Sequence, residues 1–308
     1  MEFIYSMIIQ VGLYIILASS FDLIIGYGGL ISIAHPIFVA LGAYTSGLIS
    51  MHLGLPIVIS ILIGALVAAL TSLGLALPSL RVSGDYLMIA SIGFQLGVLQ
   101  IIKNVDFTGG HTGLIDIPSL LEGPDRSKYY LVLVYAVAVV VLWFKWLVTK
   151  GDYGRAIKAM KDDEVAFVAL GRNSMAIKIT LFALGCGIGG LAGGMYAHYF
   201  LYLTPEQFEI IESAALLTMC VVGGMATHWG PVIGALLIVA LPQTIQFLDL
   251  PPSVNAPLQG LLYTTLVMIF LFARPQGLLG GERSLTVRRT PGGEAARPAT
   301  VKEGTSDA

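Results

Sequence analysis

The chain has 308 residues, of which 56% are hydrophobic and only 12% charged, and its mean hydropathy is +0.83. An ordinary soluble domain carries roughly twice that share of charge, so the two soluble domains that the length would otherwise permit are excluded. The net charge of −2 decides little; the placement of Lys and Arg decides more.

In chain order, apolar blocks fall at 3–25, 35–53, 56–79, 84–103, 129–149, 177–203, 209–228, 231–249 and 257–274. Each is close to the roughly 20 residues that cross a bilayer as a helix. The fold class is therefore all-α, a polytopic transmembrane bundle of about nine spans. The first block has no Lys or Arg before it and is long for the h-region of a signal peptide, so it reads as a retained span. An odd number of crossings puts the N-terminus outside and the C-terminus inside. Basic residues agree, because Lys150, Arg155, Lys158, Lys161, Arg172 and Lys178 crowd one connection and a second basic stretch begins at Arg274. Only Lys103, Arg126 and Lys128 would face outside. The fifth block opens on Tyr129 and Tyr130 and closes on Trp143, Lys145, Trp146 and Lys150, which reads as an aromatic belt with ammonium groups snorkelling to the inner headgroups.

The domain plan is a membrane domain over 1–280, with an inner loop over 150–176, and a disordered cytoplasmic tail over 281–308 that is rich in Gly, Pro, Thr and charge. Residues 104–128 form a polar outer loop containing TGGHTGL (108–114). Its glycines suit either a tight turn that needs positive φ or a small cup of backbone N–H groups for an arriving carboxylate. The block GCGIGGLAGG (185–194) sets small residues four apart, a smooth face for close helix packing within the chain or against another subunit.

Two Gly-rich breaks have the same form. Gly28, Gly29 and Pro36 in the first are matched by Gly223, Gly224 and Pro231 in the second, with proline seven residues after the second glycine in both. Broken helices in corresponding halves are a mark of transporters with internal repeats. Beside the first break, Asp22 either faces a polar path or reaches the inner interface, since a carboxylate in lipid is costly. His35, Tyr44, Gln95, Glu212, Gln243 and Gln246 are candidates to line the same path or to make hydrogen bonds between helices. Cys186 and Cys220 lie within apolar blocks and read as packing residues. The five His are scattered, no cluster has metal-ligand or nucleophile spacing, and no Gly-Lys dipeptide is present to build a phosphate-binding loop. Enzyme chemistry, a cofactor and a resident metal are therefore not expected.

The inner loop DYGRAIKAMKDDEVAFVALGRNSMAIKIT (152–180) places Ala156, Ile157, Met160, Val165, Val168 and Ala169 among charges with helical spacing. Periodicity alone fits both a docking element for a partner and a helix resting on headgroups. Glu164, Ala166 and Gly171 resemble the E-A-A…G coupling loop of ATP-binding-cassette importer permeases, although the downstream Ile-x-Leu-Pro is absent. The order of segments resembles the branched-chain amino acid permeases of the LivM type: GYGGLISIAHPIFVALGAYT (26–45), RVSGDYLMIASIGF (81–94), TGGHTGL, GRAIKAMKDDEVAFVALG (154–171), GLAGGMYAHY (190–199), VVGGMATHWGPVIGA (221–235) and RPQGLLG (274–280).

That resemblance implies an importer subunit in a bacterial or archaeal plasma membrane that translocates branched-chain or related small amino acids by alternating access. It implies a second permease, two ATPase subunits and an extracytoplasmic binding protein as partners, with lipid around the spans and no nucleic acid. Arg155, Glu164, Ala166 and Gly171 are then the residues expected to couple to the ATPase. An ion-coupled carrier acting alone, or an importer of urea, short amides or sugars, is the alternative.

Overall fold

In the computed structural model, residues 2–79, 84–121, 123 and 125–246 are described, together with isolated positions from 261 to 279. Among these residues the chain forms ten α-helices: α1 (Glu2–Asp22), α2 (His35–His52), α3 (Ile57–Ser79), α4 (Gly84–Asn104), α5 (Arg126–Lys150), α6 (Asp152–Asp162), α7 (Glu164–Ala169), α8 (Ser174–Phe200), α9 (Ile210–Gly223) and α10 (Gly230–Gln246). Eight of the nine expected spans coincide with helices; the ninth, 257–274, and the tail 281–308 lie outside the described residues apart from single positions.

Lengths separate these helices into two groups. Glu2–Tyr27, Ile57–Pro78, Tyr86–Asn104, Arg126–Lys150 and Ser174–Phe200 are long and apolar enough to cross a membrane. By contrast α9 has only 14 residues. At about 1.5 Å per residue, α9 reaches only about 21 Å of a roughly 30 Å hydrocarbon layer. α9 ends at the second Gly-rich break, and the helices that follow the two breaks, α2 and α10, both carry proline at their second residue, where its missing N–H costs nothing.

Helix α1 is the axle of the bundle. Its apolar window is 83% buried, against 22% for α5, and it packs against α5, α8, α9 and α10. α1 and α5 run parallel, as three contacts spaced along both show: Ser127 Oγ donates to Glu2 at 2.6 Å, Tyr135 to the Ile8 carbonyl at 3.2 Å, and Lys145 to Asp22 at 2.7 Å. Outward-facing Val132, Val139 and Trp143 on α5 and Leu62, Leu66 and Leu70 on α3 are all more than half exposed. An apolar surface of that extent suits lipid or a second membrane protein rather than water.

The glycine face of α8 is used inside the chain. A Cβ on Gly42 of α2 would strike the Gly190 backbone, one on Gly193 would strike the Val39 carbonyl, and one on Gly194 would press on Ile61 of α3 at 3.2 Å. Small residues here let α2, α3 and α8 approach backbone to backbone.

The two ends of the bundle differ in construction. At one end a two-stranded antiparallel ladder joins β1 (Leu114–Ile115) to β2 (Tyr202–Leu203). Gly109 and Gly113 of TGGHTGL take positive φ, and a Cβ on Gly113 would strike the Leu203 carbonyl, so the glycines serve the turn and this ladder. The same end holds the Lys103–Glu209 ion pair at 3.2 Å and Arg126 bonded to the His198 and Tyr199 carbonyls. At the other end lie α6, α7 and both Gly-rich breaks.

Candidate functional site

Two clusters stand out, one at each end. The first is built where α1 gives way to a π-helical turn, Leu23–Tyr27. A π turn inserts an extra residue in the helix and often marks a functional position. Here it places Asp22 at 0% and Lys145 at 1% side-chain exposure, 2.7 Å apart. Asp22 also accepts the Ala226 N–H at 2.8 Å, and Lys145 donates to the Thr227 carbonyl at 3.2 Å. The ion pair thus binds α1 and α5 to the second Gly-rich break. The first break closes on the same point, since a Cβ on Gly26 would lie 2.7 Å from the Ala226 nitrogen.

This corrects the expectation for Lys145, which does not snorkel to headgroups. Its position between two tryptophans reads locally as an interface, but the parallel run of α1 and α5 brings a buried carboxylate opposite it, and a buried charge is held only with a partner. Lys150 does keep the expected aromatic company, with its ammonium 4.8 Å from the Trp146 ring centre.

The expected inner loop forms two short helices. Ile157 and Met160 of α6 and Phe167 of α7 are buried with Leu23, Ile177 and Leu181 in an apolar cluster separate from the main core. Lys161 reaches from α6 to the Gly26 carbonyl, and its methylenes lie beside Gly29, whose φ is +67°. Glu164 of α7 pairs with Lys178 of α8 at 2.6 Å. Burial alone would raise the Glu164 pKa; hydrogen bonds from Lys178 and Ser174 and the Lys178 charge outweigh it and hold the carboxyl below its ordinary value. Asp163 caps α7 by accepting the Ala166 N–H at 2.9 Å, and Asn173 caps α8 by accepting the Ala176 N–H at 3.0 Å. Between the caps, Gly171 turns the chain at φ +77° with open space around it. Arg155 pairs with Asp152 on the exposed face of α6.

The expected apolar stripe divides between the two helices. Val165, Val168 and Leu170 point away from the bundle, at 82%, 50% and 81% exposure. α6 therefore faces the membrane helices, while α7 and the turn after it offer an unpartnered apolar surface.

The second cluster is a cavity of about 170 Å³ toward the opposite end, where α1, α2, α8 and α9 meet the turn after β2. Its wall includes Leu13, Leu17, Val39 and Leu216. Gln10, Tyr14, Tyr196, Gln207 and Glu212 bring polar groups to it, and Tyr14 hydrogen-bonds Glu212. Of the candidate path residues, only Glu212 lines this cavity. His35 instead bonds Ser20 at 2.9 Å, Tyr44 bonds the Leu203 carbonyl at 3.5 Å, and Gln95 bridges the Ile37 N–H at 3.1 Å and the Phe208 carbonyl at 2.7 Å. The side chains of Gln243 and Gln246 lie outside the described residues. Sequence reading missed Gln10, although a lone amide in the first apolar block is the usual signal of a polar contact at membrane depth. It also missed Tyr14 and Gln207, which carry no such signal.

Both breaks close in the same manner, with Gly29 and Gly224 at positive φ before a helix with proline at its second residue. The Val222 and Gly223 carbonyls at the end of α9 accept the Leu278 and Leu279 N–H groups, at 2.9 and 3.2 Å, so Leu278 and Leu279 supply partners to a helix end that lacks its own. Cys186 and Cys220 are buried and free, and the described residues contain no group of three or more His, Cys, Asp or Glu able to hold a metal.

Residues 3–271 match the family described as branched-chain amino acid transport system / permease component. The chain is 31% identical over 294 residues to the high-affinity branched-chain amino acid transport system permease protein LivM of Escherichia coli K12, covering 87% of this chain and 68% of that protein. It is 26% identical over 323 residues to a probable LivM permease of Methanocaldococcus jannaschii, covering 90% and 93%. More distantly, it is 24% identical over 194 residues to the autoinducer 2 import system permease protein LsrC of Escherichia coli O9:H4, covering 60% and 56%. No solved structure matches the chain.

Proposed function

The chain belongs to the family of permease components of branched-chain amino acid transport systems, and from that premise we propose that it carries branched-chain or related small amino acids into the cell with a second permease, two ATPase subunits and an extracytoplasmic binding protein. It is a transport subunit and not an enzyme. The observation that carries the proposal is the surface of α7. Val165, Val168 and Leu170 are exposed at the end of the bundle where Lys and Arg concentrate, the end that the positive-inside rule assigns to the cytoplasm. An exposed apolar patch on a helix tied to the membrane domain by charge is suited to a groove on a soluble partner.

The geometry also supports a route for force. Closure of the ATPases moves α7; Glu164–Lys178 and Phe167 pass that motion to α8, while Met160 and Lys161 pass it to the π turn of α1. Since α1 lines the far cavity and both breaks meet at Asp22 and Ala226, one displacement reaches the path and its Gly-rich hinges together. Arg155 and Ala166 are both exposed and belong to the docking surface in this reading. The opposite end, with its short ladder and TGGHTGL turn, then faces the binding protein.

The test is uptake by proteoliposomes containing the assembled importer. Val165→Asp with Leu170→Asp should abolish ATP-driven uptake and co-purification of the ATPase, while the permease still inserts. Uptake by the chain alone on a proton or sodium gradient, or full activity of the double variant, would overturn the proposal.

A further inference from the structure

The cavity at the far end contains one carboxylate, Glu212, and no Lys, Arg or His among its lining residues. Among the described residues, the partner of Glu212 within it is the neutral hydroxyl of Tyr14. Removing a carboxylate from water without a countercharge is costly, and the other acidic group set deep in the bundle, Asp22, has Lys145 built against it. The rest of the lining includes the aliphatic side chains of Leu13, Leu17, Val39 and Leu216, the last one turn beyond Glu212 on α9. Gln207 already accepts the Thr204 N–H through Oε1 at 3.3 Å, which leaves its NH2 group to donate, and Gln10 adds a second amide. At about 170 Å³ the space lies below the roughly 300–1,000 Å³ of drug-sized sites, and suits a solute of about amino-acid size.

We propose that this cavity is a binding station for a small aliphatic solute carrying a protonated amine, with Glu212 accepting the ammonium group, the Gln207 and Gln10 amides facing the solute carboxylate, and the leucine and valine wall taking the aliphatic side chain. The assignment rests on the importer reading above and adds to it a site within the membrane chain that discriminates charge, distinct from any selection made by a binding protein. Glu212 is the residue that determines specificity, because an ammonium group satisfies the charge that the protein leaves with a neutral partner. A solute offering only a carboxylate brings like charge to it.

Two measurements on the full chain test the station. In the first, Leu216→Cys places a thiol in the wall, and its alkylation by a polar maleimide is timed in detergent with L-leucine, with isopentylamine, which keeps the amine, and with 4-methylpentanoate, which keeps the acid. Leucine and isopentylamine should slow labelling roughly tenfold, the scale of one hydrogen bond to a charged group. The acid should leave labelling unchanged, and Glu212→Gln should cancel the protection. Equal protection by acid and amine, protection that survives Glu212→Gln, or no protection by any of the three overturns the station.

In the second, the importer assembled with Glu212→Gln should take up leucine roughly tenfold more slowly or worse, while Glu212→Asp retains part of the rate. Should Leu216→Cys fail to fold, this uptake measurement decides alone. Wild-type uptake that is absent refutes the importer reading itself; wild-type uptake matched by Glu212→Gln refutes only the station.

Discussion

The two ends of this bundle treat a carboxylate in opposite ways. At the end bearing α6 and α7, Asp22 is sealed against the Ala226 N–H and the Lys145 ammonium, which also holds the Thr227 carbonyl, and Glu164 is paired with Lys178. At the other end Glu212, in a cavity with leucine and valine in its wall, has among the described residues a phenol hydroxyl as its partner and no countercharge in the lining. The difference separates structure from work. A charge supplied with its counterion holds helices in register, whereas a charge left with a neutral partner is available to something that arrives.

Breaking the sealed end should have the largest effect. Lys145→Met leaves Asp22 buried without its counterion, a loss of about 3–5 kcal/mol in comparable pairs, so the variant should unfold at markedly lower temperature in detergent. Adding Asp22→Asn should recover much of that loss, because the pair is worth less than the penalty of orphaning one member. A Lys145→Met protein as stable as the parent would show that the pair does not join α1 to α5.

Gly171→Ala should cost about 1 kcal/mol or more, since alanine resists φ +77° even though space is free around it. Its readout is ATP-driven uptake as well as melting, because the turn sets the angle between α7 and α8. Glu164 offers a smaller effect with a defined sign. Its folded-state pKa is held below the ordinary value, so its contribution is fully present above the unfolded pKa and fades as pH falls through the folded one. The parent should therefore lose stability over the acidic carboxylate range slightly faster than Glu164→Gln, a difference that melting curves across pH detect. Glu212→Gln should shift melting least of all, as the amide can still bond Tyr14 while its effect appears in uptake.

Much of the fold was legible because lipid imposes a length on apolar blocks. Eight helices lie where hydropathy put them, and the Gly-Pro spacing marked both breaks with their positive-φ glycines. The candidate site was legible only in pieces. Glu212 was one of several polar residues in the apolar blocks named as candidates for a path, and the carboxylate of Asp22 gave no hint of its partner. His35, Tyr44 and Gln95 were equally plausible as path residues, and nothing local distinguished them from the hydrogen-bonded helix contacts they make. Lys145 was misplaced because its flanking tryptophans are a strong local cue for an interface.

From the sequence by itself follow the membrane class, the helical blocks, the basic end and the short amphipathic helices between two spans. These properties repeat within a few turns of helix and need no partner to define them. Tertiary structure alone decided that Asp22 meets Lys145 across 123 positions of sequence, that the two breaks touch through Ala226, that α6 turns inward while α7 faces out, and that Gln10 and Gln207 share a cavity with Glu212. Each depends on which helices lie side by side and in which direction they run, and that is set by packing between elements far apart in the chain.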